Sequence, residues 1–136
     1  ALLRAVGGNP QATYQISEQH GAPYYLLHFA RQAEVAALRP TFSAMPGNVI
    51  ATAVADAEDV DFVSRFFGPM SGIDEDPVTG SAHATMAPYW SEKLGRGVLT
   101  AHQVSARCGE VICEPDGDRV KLRGQALTYL RGEIKI

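Results

Sequence analysis

Cysteine, tryptophan, basic excess and long apolar runs are all scarce or missing in this chain. Two of its 136 residues are cysteine and one is tryptophan. Two cysteines cannot build the network of cross-links on which small secreted domains rely. Cys108 and Cys113 are five positions apart on a predicted strand. There they would lie roughly 16 Å apart on opposite faces, so no bridge between them is expected. They read instead as reduced, small strand residues of a cytoplasmic protein. The 12 Lys and Arg are scattered among 15 Asp and Glu, for a net charge of -3. Nothing there forms an electrostatic footprint for nucleic acid. No apolar stretch approaches the roughly 18 to 20 residues of a membrane span, and no signal-peptide pattern opens the chain. His20, His28, His83 and His102 lack metal-ligand spacing with one another or with the cysteines, so no metal and no cofactor is expected from them. The chain starts at Ala1 without a methionine, as a processed protein or a piece of a longer one does.

The composition that remains is that of one globular domain over residues 1–136, with 46% hydrophobic and 20% charged residues. Thr13 to Glu18 and Tyr24 to Phe29 read as strands joined by a turn at Gly21 and Pro23. Gly7-Gly8-Asn9-Pro10 reads as a turn. Arg31 to Leu38 has helical composition and is stopped by Pro40. Asn48 to Ala55 is a buried-strand pattern. Asp61 to Phe67 carries apolar residues on both faces, which suits a sheet packed on one side and meeting a partner or ligand on the other. Thr79 to about Leu94 is the main helix, with Thr79 placed to cap it, Gly95 to end it and Pro88 to kink it. Its small apolar residues predict burial on every side. Short strands follow at Val98 to Ser105, Glu110 to Glu114, Arg119 to Arg123, Gln125 to Leu130 and Glu133 to Ile136, with a hairpin at Asp116-Gly117. The fold class expected is α+β: a curved, barrel-like, mostly antiparallel sheet wrapped around one central buried helix.

Chemistry concentrates in Gly72-Ile73-Asp74-Glu75-Asp76-Pro77-Val78-Thr79-Gly80-Ser81-Ala82. The amides of Gly80, Ser81 and Ala82 open a helix N-terminus, where a dipole favours an anion by about 0.3 to 2 kcal/mol. Gly80 allows close backbone approach and Ser81 adds a hydroxyl donor. Asp76, held extended by Pro77, is placed to orient an ammonium or hydroxyl group or to shuttle a proton. From the residues alone two readings stand: acids that cap and solvate a helix entry, or one wall of a site for a small carboxylate. Ser81, His83 and Asp76 do not form a hydrolase triad, because residues two apart on a helix point to nearly opposite sides. Met86, Tyr89 and Trp90 read as core.

The stretch from Phe66-Phe67-Gly68-Pro69 through Glu75-Asp76-Pro77-Val78-Thr79-Gly80-Ser81-Ala82 to Ala87-Pro88-Tyr89-Trp90 resembles the phenazine-biosynthesis (PhzF-like) isomerase family of the diaminopimelate-epimerase-like superfamily. Weaker likeness covers Ala36 to Pro40, Arg65, and Val120 to Gly124 through Arg131-Gly132. The resemblance implies a barrel-like sheet around a helix and cofactor-independent proton transfer on small carboxylic acids. In that family two such domains face each other, with ligand held between two helix N-termini. Carried onto this sequence, it gives Asp76 a catalytic role as proton relay or substrate contact, and makes Thr79, Gly80, Ser81 and Ala82 the substrate-binding entry. The match is to the C-terminal domain only, and the family's principal acid/base, a glutamate of the other domain, has no counterpart here. A two-cysteine racemase is disfavoured, because Gly80-Ser81 stands where such members place a thiol. The expected partners are a small carboxylate ligand and either a second copy or a sister domain. The alternative is a non-catalytic, solitary small-acid-binding or interaction domain that dimerises.

Overall fold

A computed structural model describes residues 1–19 and 21–135; His20 and the Ile136 end of the last predicted strand lie outside the described residues. The elements run α1 (Leu2–Val6), β1 (Ala12–Gln19), β2 (Ala22–His28), α2 (Gln32–Ala37), β3 (Asn48–Val54), β4 (Phe62–Gly68), β5 (Ile73–Asp76), α3 (Gly80–Leu94), β6 (Leu99–Gln103), β7 (Gly109–Asp116) and β8 (Arg119–Arg123), with short 3₁₀ turns at Phe42–Ala44 and Pro69–Ser71. The strands form one sheet in the order β1-β2-β3-β4-β6-β7-β8, with β5 paired to β4 off that path. Pairing is antiparallel except at β2–β3 and β4–β6. The expected α+β class and mostly antiparallel pairing are therefore observed. The sheet is open, with β1 and β8 at its ends, so its likeness to a barrel is a matter of curvature and not of closure.

That curvature follows from packing. One apolar cluster unites Tyr24 and Leu26 of β2, Ile50 of β3, Phe62 and Phe66 of β4, Leu99 and Ala101 of β6, and Val111 and Cys113 of β7 with Ala82, Met86, Ala87 and Trp90 of α3. Neighbouring strands are spaced about 4.8 Å apart and a helix is only about 10–12 Å wide, so a sheet reaching α3 from β2 to β7 has to curl around it. A second cluster on the opposite face joins Ala5, Val6, Val35 and Leu38 to Leu27, Val49, Ala51, Ala53, Val63 and Phe67. This corrects the expectation for β4. Its second apolar face meets no ligand or partner, because α1 and α2 cover it, and the whole strand is buried.

Three further differences have local causes. α1 is not predicted; its five residues are held by packing of Ala5 and Val6 and ended by Gly7, which adopts φ 78°. α3 buries Ala82, His83, Met86, Ala87 and Trp90, but Ser81, Pro88, Glu92 and Lys93 are exposed where the open sheet leaves the helix uncovered. No strand forms over Gln125–Leu130 or residues 133–135. A strand persists only with a ladder partner, and here Leu127 and Tyr129 are 96% and 100% exposed and meet no core. Among the described residues no helix is long and apolar enough to cross a membrane.

Candidate functional site

The acidic run becomes a short strand. β5 pairs with the end of β4, setting Asp76 opposite Phe66 and Glu75 opposite Phe67. Its anchor is ionic. Both carboxylate oxygens of Glu75 accept from the Arg65 guanidinium, at 2.7 Å from Nε and 2.8 Å from Nη2. Nη1 of the same arginine donates to the carbonyls of Val35, Ala36 and Leu38, at 3.3, 3.4 and 2.9 Å, closing the C-terminus of α2. Arg65 also lies over the Phe67 ring, 4.8 Å from its centroid. A bidentate, largely buried pair of this kind fixes geometry as well as adding stability.

From Asp76 the chain turns through Pro77 and Val78 into α3. Thr79 occupies the N-cap position, yet its side chain does not cap the helix. Its hydroxyl donates instead to Asp76 Oδ2 at 2.6 Å. This corrects the capping role expected for Thr79: bonded to Asp76, its side chain is turned away from the helix amides, none of which donates to its oxygen. Gln103 of β6, fully buried, clips the turn. Its Oε1 accepts from the Thr79 amide at 2.8 Å, while its Nε2 donates to the Asp76 carbonyl at 2.6 Å and to Thr79 Oγ1 at 3.1 Å. With the N-cap side chain diverted, the amides at the start of α3 lack both an intrahelical partner and a side-chain cap.

The predicted residues are thus brought together, with different parts. Gly80 and Ser81 are exposed at the helix entry. The Ala82 side chain is in the core, so only its amide can serve a ligand. Both donors of Thr79 are engaged inside the protein. Asp76 is half-buried beside them, with Oδ2 taken by Thr79. His83 is a packed histidine. Its Nδ1 lies 2.7 Å from the Thr79 carbonyl, and burial pushes its pKa down, leaving a neutral ring.

Beside Gly80 lies a cleft of about 690 Å³, lined by Val78, Val111, Leu122 and Arg123 together with Cys108. A methyl group built on Gly80 would meet only Leu122, at 3.8 Å, so the backbone there faces open space. Cys108 adopts φ 54°, the one described non-glycine residue with positive φ, and is exposed and free. It stands in a turn and not on a strand. Burial pushes the Cys113 thiol up to about 12, keeping it protonated. Sequence reading missed Gln103 and the β7–β8 side of the cleft. The signal for Gln103 was its place in the alternation Leu99, Ala101, Gln103, which puts a polar side chain on the buried face of β6. Among the described residues no cluster of His, Cys, Asp and Glu could hold a metal ion.

The family described as phenazine biosynthesis-like protein matches residues 2–132. The chain belongs to this family. An uncharacterised isomerase of Pseudomonas aeruginosa is 42% identical over 82% of the chain, and one from Halalkalibacterium halodurans 40% identical over 81%. These alignments span 44% and 43% of the relatives, so the chain covers less than half of their length. Among solved structures, a phenazine biosynthesis protein of the PhzF family from Enterococcus faecalis superposes with a TM-score of 0.76 at 37% identity, over 93% of this chain and 50% of that one. A putative phenazine biosynthesis PhzC/PhzF protein from Clostridium difficile gives 0.77 at 35% identity, over 98% and 51%. The helix entry with its diverted N-cap is thus built on the fold of a phenazine biosynthesis-like protein.

Proposed function

We propose that this chain forms the carboxylate-binding wall of a cofactor-independent isomerase, equivalent to the C-terminal half of a two-domain PhzF-like protein of the cytoplasm. The observation that carries the reading is the diverted N-cap: Thr79 bonds Asp76 and leaves the first amides of α3 without a side-chain cap, at a helix entry whose Gly80 lines a cleft. The carboxylate of a small amino or hydroxy acid sits on those amides and the Ser81 hydroxyl. When a neighbouring carbon loses its proton, negative charge grows on the carboxylate oxygens. Fixed amide dipoles stabilise that charge more than the ground state, which is how such a cradle lowers a barrier. Asp76 contacts the ammonium or hydroxyl substituent and relays its proton. The principal acid/base comes from the facing domain or from a second copy.

The test uses lactate, a 2-hydroxy acid, against acetate, which lacks the hydroxyl. Asp76→Ala removes the acceptor that turns the Thr79 hydroxyl away from the helix amides, so it should weaken binding of both acids, and of lactate more than of acetate. Equal lactate affinity in the parent and the variant contradicts the role given to Asp76.

A second reading rests on the exposed tail. Residues after Arg123 carry Leu127, Tyr129, Leu130 and Ile134, each at least 80% exposed, and among the described residues the end strands β1 and β8 pair on one side only. Apolar side chains so presented are suited to a partner surface. In this reading the chain is a small-acid-binding domain that pairs with a second copy without catalysing on its own. Light scattering checks the pairing, and a strict monomer at high concentration counts against it.

A further inference from the structure

Tyr24 is a buried phenol. It is 1% exposed, and among the described residues its hydroxyl has no hydrogen-bond partner. Leaving a buried hydroxyl unpaired is unfavourable, and native proteins seldom do so without cause. Were packing its only task, phenylalanine would serve better.

Its place in the fold suggests the cause. Tyr24 opens β2 on the α3 face and belongs to the same cluster as Ala82. Its ring meets Phe66 edge-on, centroids 6.0 Å apart, and Phe66 is the ladder partner of Asp76. Tyr24 therefore lies at the end of the sheet where β5 hands over to α3. Ala82, which shares that cluster, is preceded by Ser81 in the first turn of α3. Burial raises the phenol pKa, and the neighbouring Ser81 hydroxyl counters part of that rise, although the two oxygens are not in bonding geometry. The phenol keeps its proton and has one hydrogen to give.

We propose that Tyr24 is a positioning residue for Ser81, donating to Ser81 Oγ when Ser81 gives its own proton to a bound carboxylate. This rests on the carboxylate reading of the helix entry. A serine hydroxyl has one hydrogen and two acceptor lone pairs. Without a ligand that hydrogen can point anywhere. With Tyr24 filling an acceptor position, it is directed outward, and the chain phenol to serine to carboxylate polarises in one direction. An orphan hydroxyl and an exposed serine thus become two parts of one donor.

The test is a double-mutant cycle on sodium acetate affinity. Binding is followed by the amide resonances of Gly80 and Ala82, with sodium chloride as control. Tyr24→Phe should weaken acetate binding about 3- to 10-fold, the effect of one hydrogen bond. In a Ser81→Ala background the same change should move affinity less than about twofold. Ser81→Thr, which retains a hydroxyl, should restore the sensitivity to Tyr24→Phe. The melting temperature of Tyr24→Phe should not fall, since an unpaired buried hydroxyl is removed. An equal loss in both backgrounds, or no loss in either, overturns the role of Tyr24 and leaves the carboxylate site standing. If acetate does not shift the parent resonances, the site and this inference fall together.

Discussion

The clamp between Arg65 and Glu75 gives the sharpest test of how the fold holds the site. Arg65 is 11% exposed by side chain and Glu75 22%, and together they tie β4, β5 and the end of α2. Arg65→Met keeps much of the side-chain volume and removes the charge. Glu75 then stays half-buried without its partner, and the carbonyls of Val35, Ala36 and Leu38 lose a donor. Breaking a buried pair from one side costs about 3–5 kcal/mol. With an unfolding entropy of roughly 0.3 kcal/mol/K for a chain of this size, a loss of about 4 kcal/mol lowers the melting temperature by about 14 °C. The double variant Arg65→Met/Glu75→Leu removes both charges and should recover more than half of that loss, because an apolar pair replaces a buried ionic one at little cost. Calorimetry of the parent, single and double variants settles the point. A single variant melting within about 3 °C of the parent, or a double variant no better than the single, would refute the clamp.

Other consequences can be measured on the same material. Gln103→Leu strands the Thr79 amide and the Asp76 carbonyl; it should cost about 2–4 kcal/mol in urea denaturation, and a loss below about 1 kcal/mol would deny Gln103 its clipping role. Gly80→Ala places a methyl group toward the cleft, 3.8 Å from Leu122, and should leave stability within about 0.5 kcal/mol while weakening acetate binding roughly five- to tenfold. Undiminished binding in that variant would move the ligand away from Gly80. For pH, His83 has a lowered pKa in the fold, so below its ordinary value near 6.5 the unfolded chain binds a proton that the folded chain refuses. Stability should be flat above about pH 7 and fall as pH drops from there. His28 is lowered too and acts in the same direction, so His83→Met should flatten the slope only in part; an unchanged slope would contradict neutral burial of His83.

How much of this was legible in the sequence depended on whether the signal was local. α2, the β7–β8 hairpin and the entry of α3 carry their own punctuation in Pro40, Asp116-Gly117 and Thr79-Gly80, and each formed close to where it was expected. Alternation in Phe62 to Phe67 showed two apolar faces, but what covers the second is a long-range matter, and α1 and α2 supply it. The Gln125–Leu130 segment has strand composition without a strand, because a ladder needs a partner that composition cannot name. At the site, the residue types and their order were readable. The choice of Thr79 between helix amides and Asp76 was not, since it depends on Gln103 arriving from β6, 24 residues away.

The central claim is that the start of α3 holds a carboxylate. Titration of the isotopically labelled chain with sodium acetate, against sodium chloride at equal ionic strength, tests it most directly. The account predicts saturable shifts confined to Gly80, Ser81, Ala82 and their neighbours around Asp76 and Gln103. Shifts equal to those in chloride, or centred elsewhere on the molecule, would contradict it.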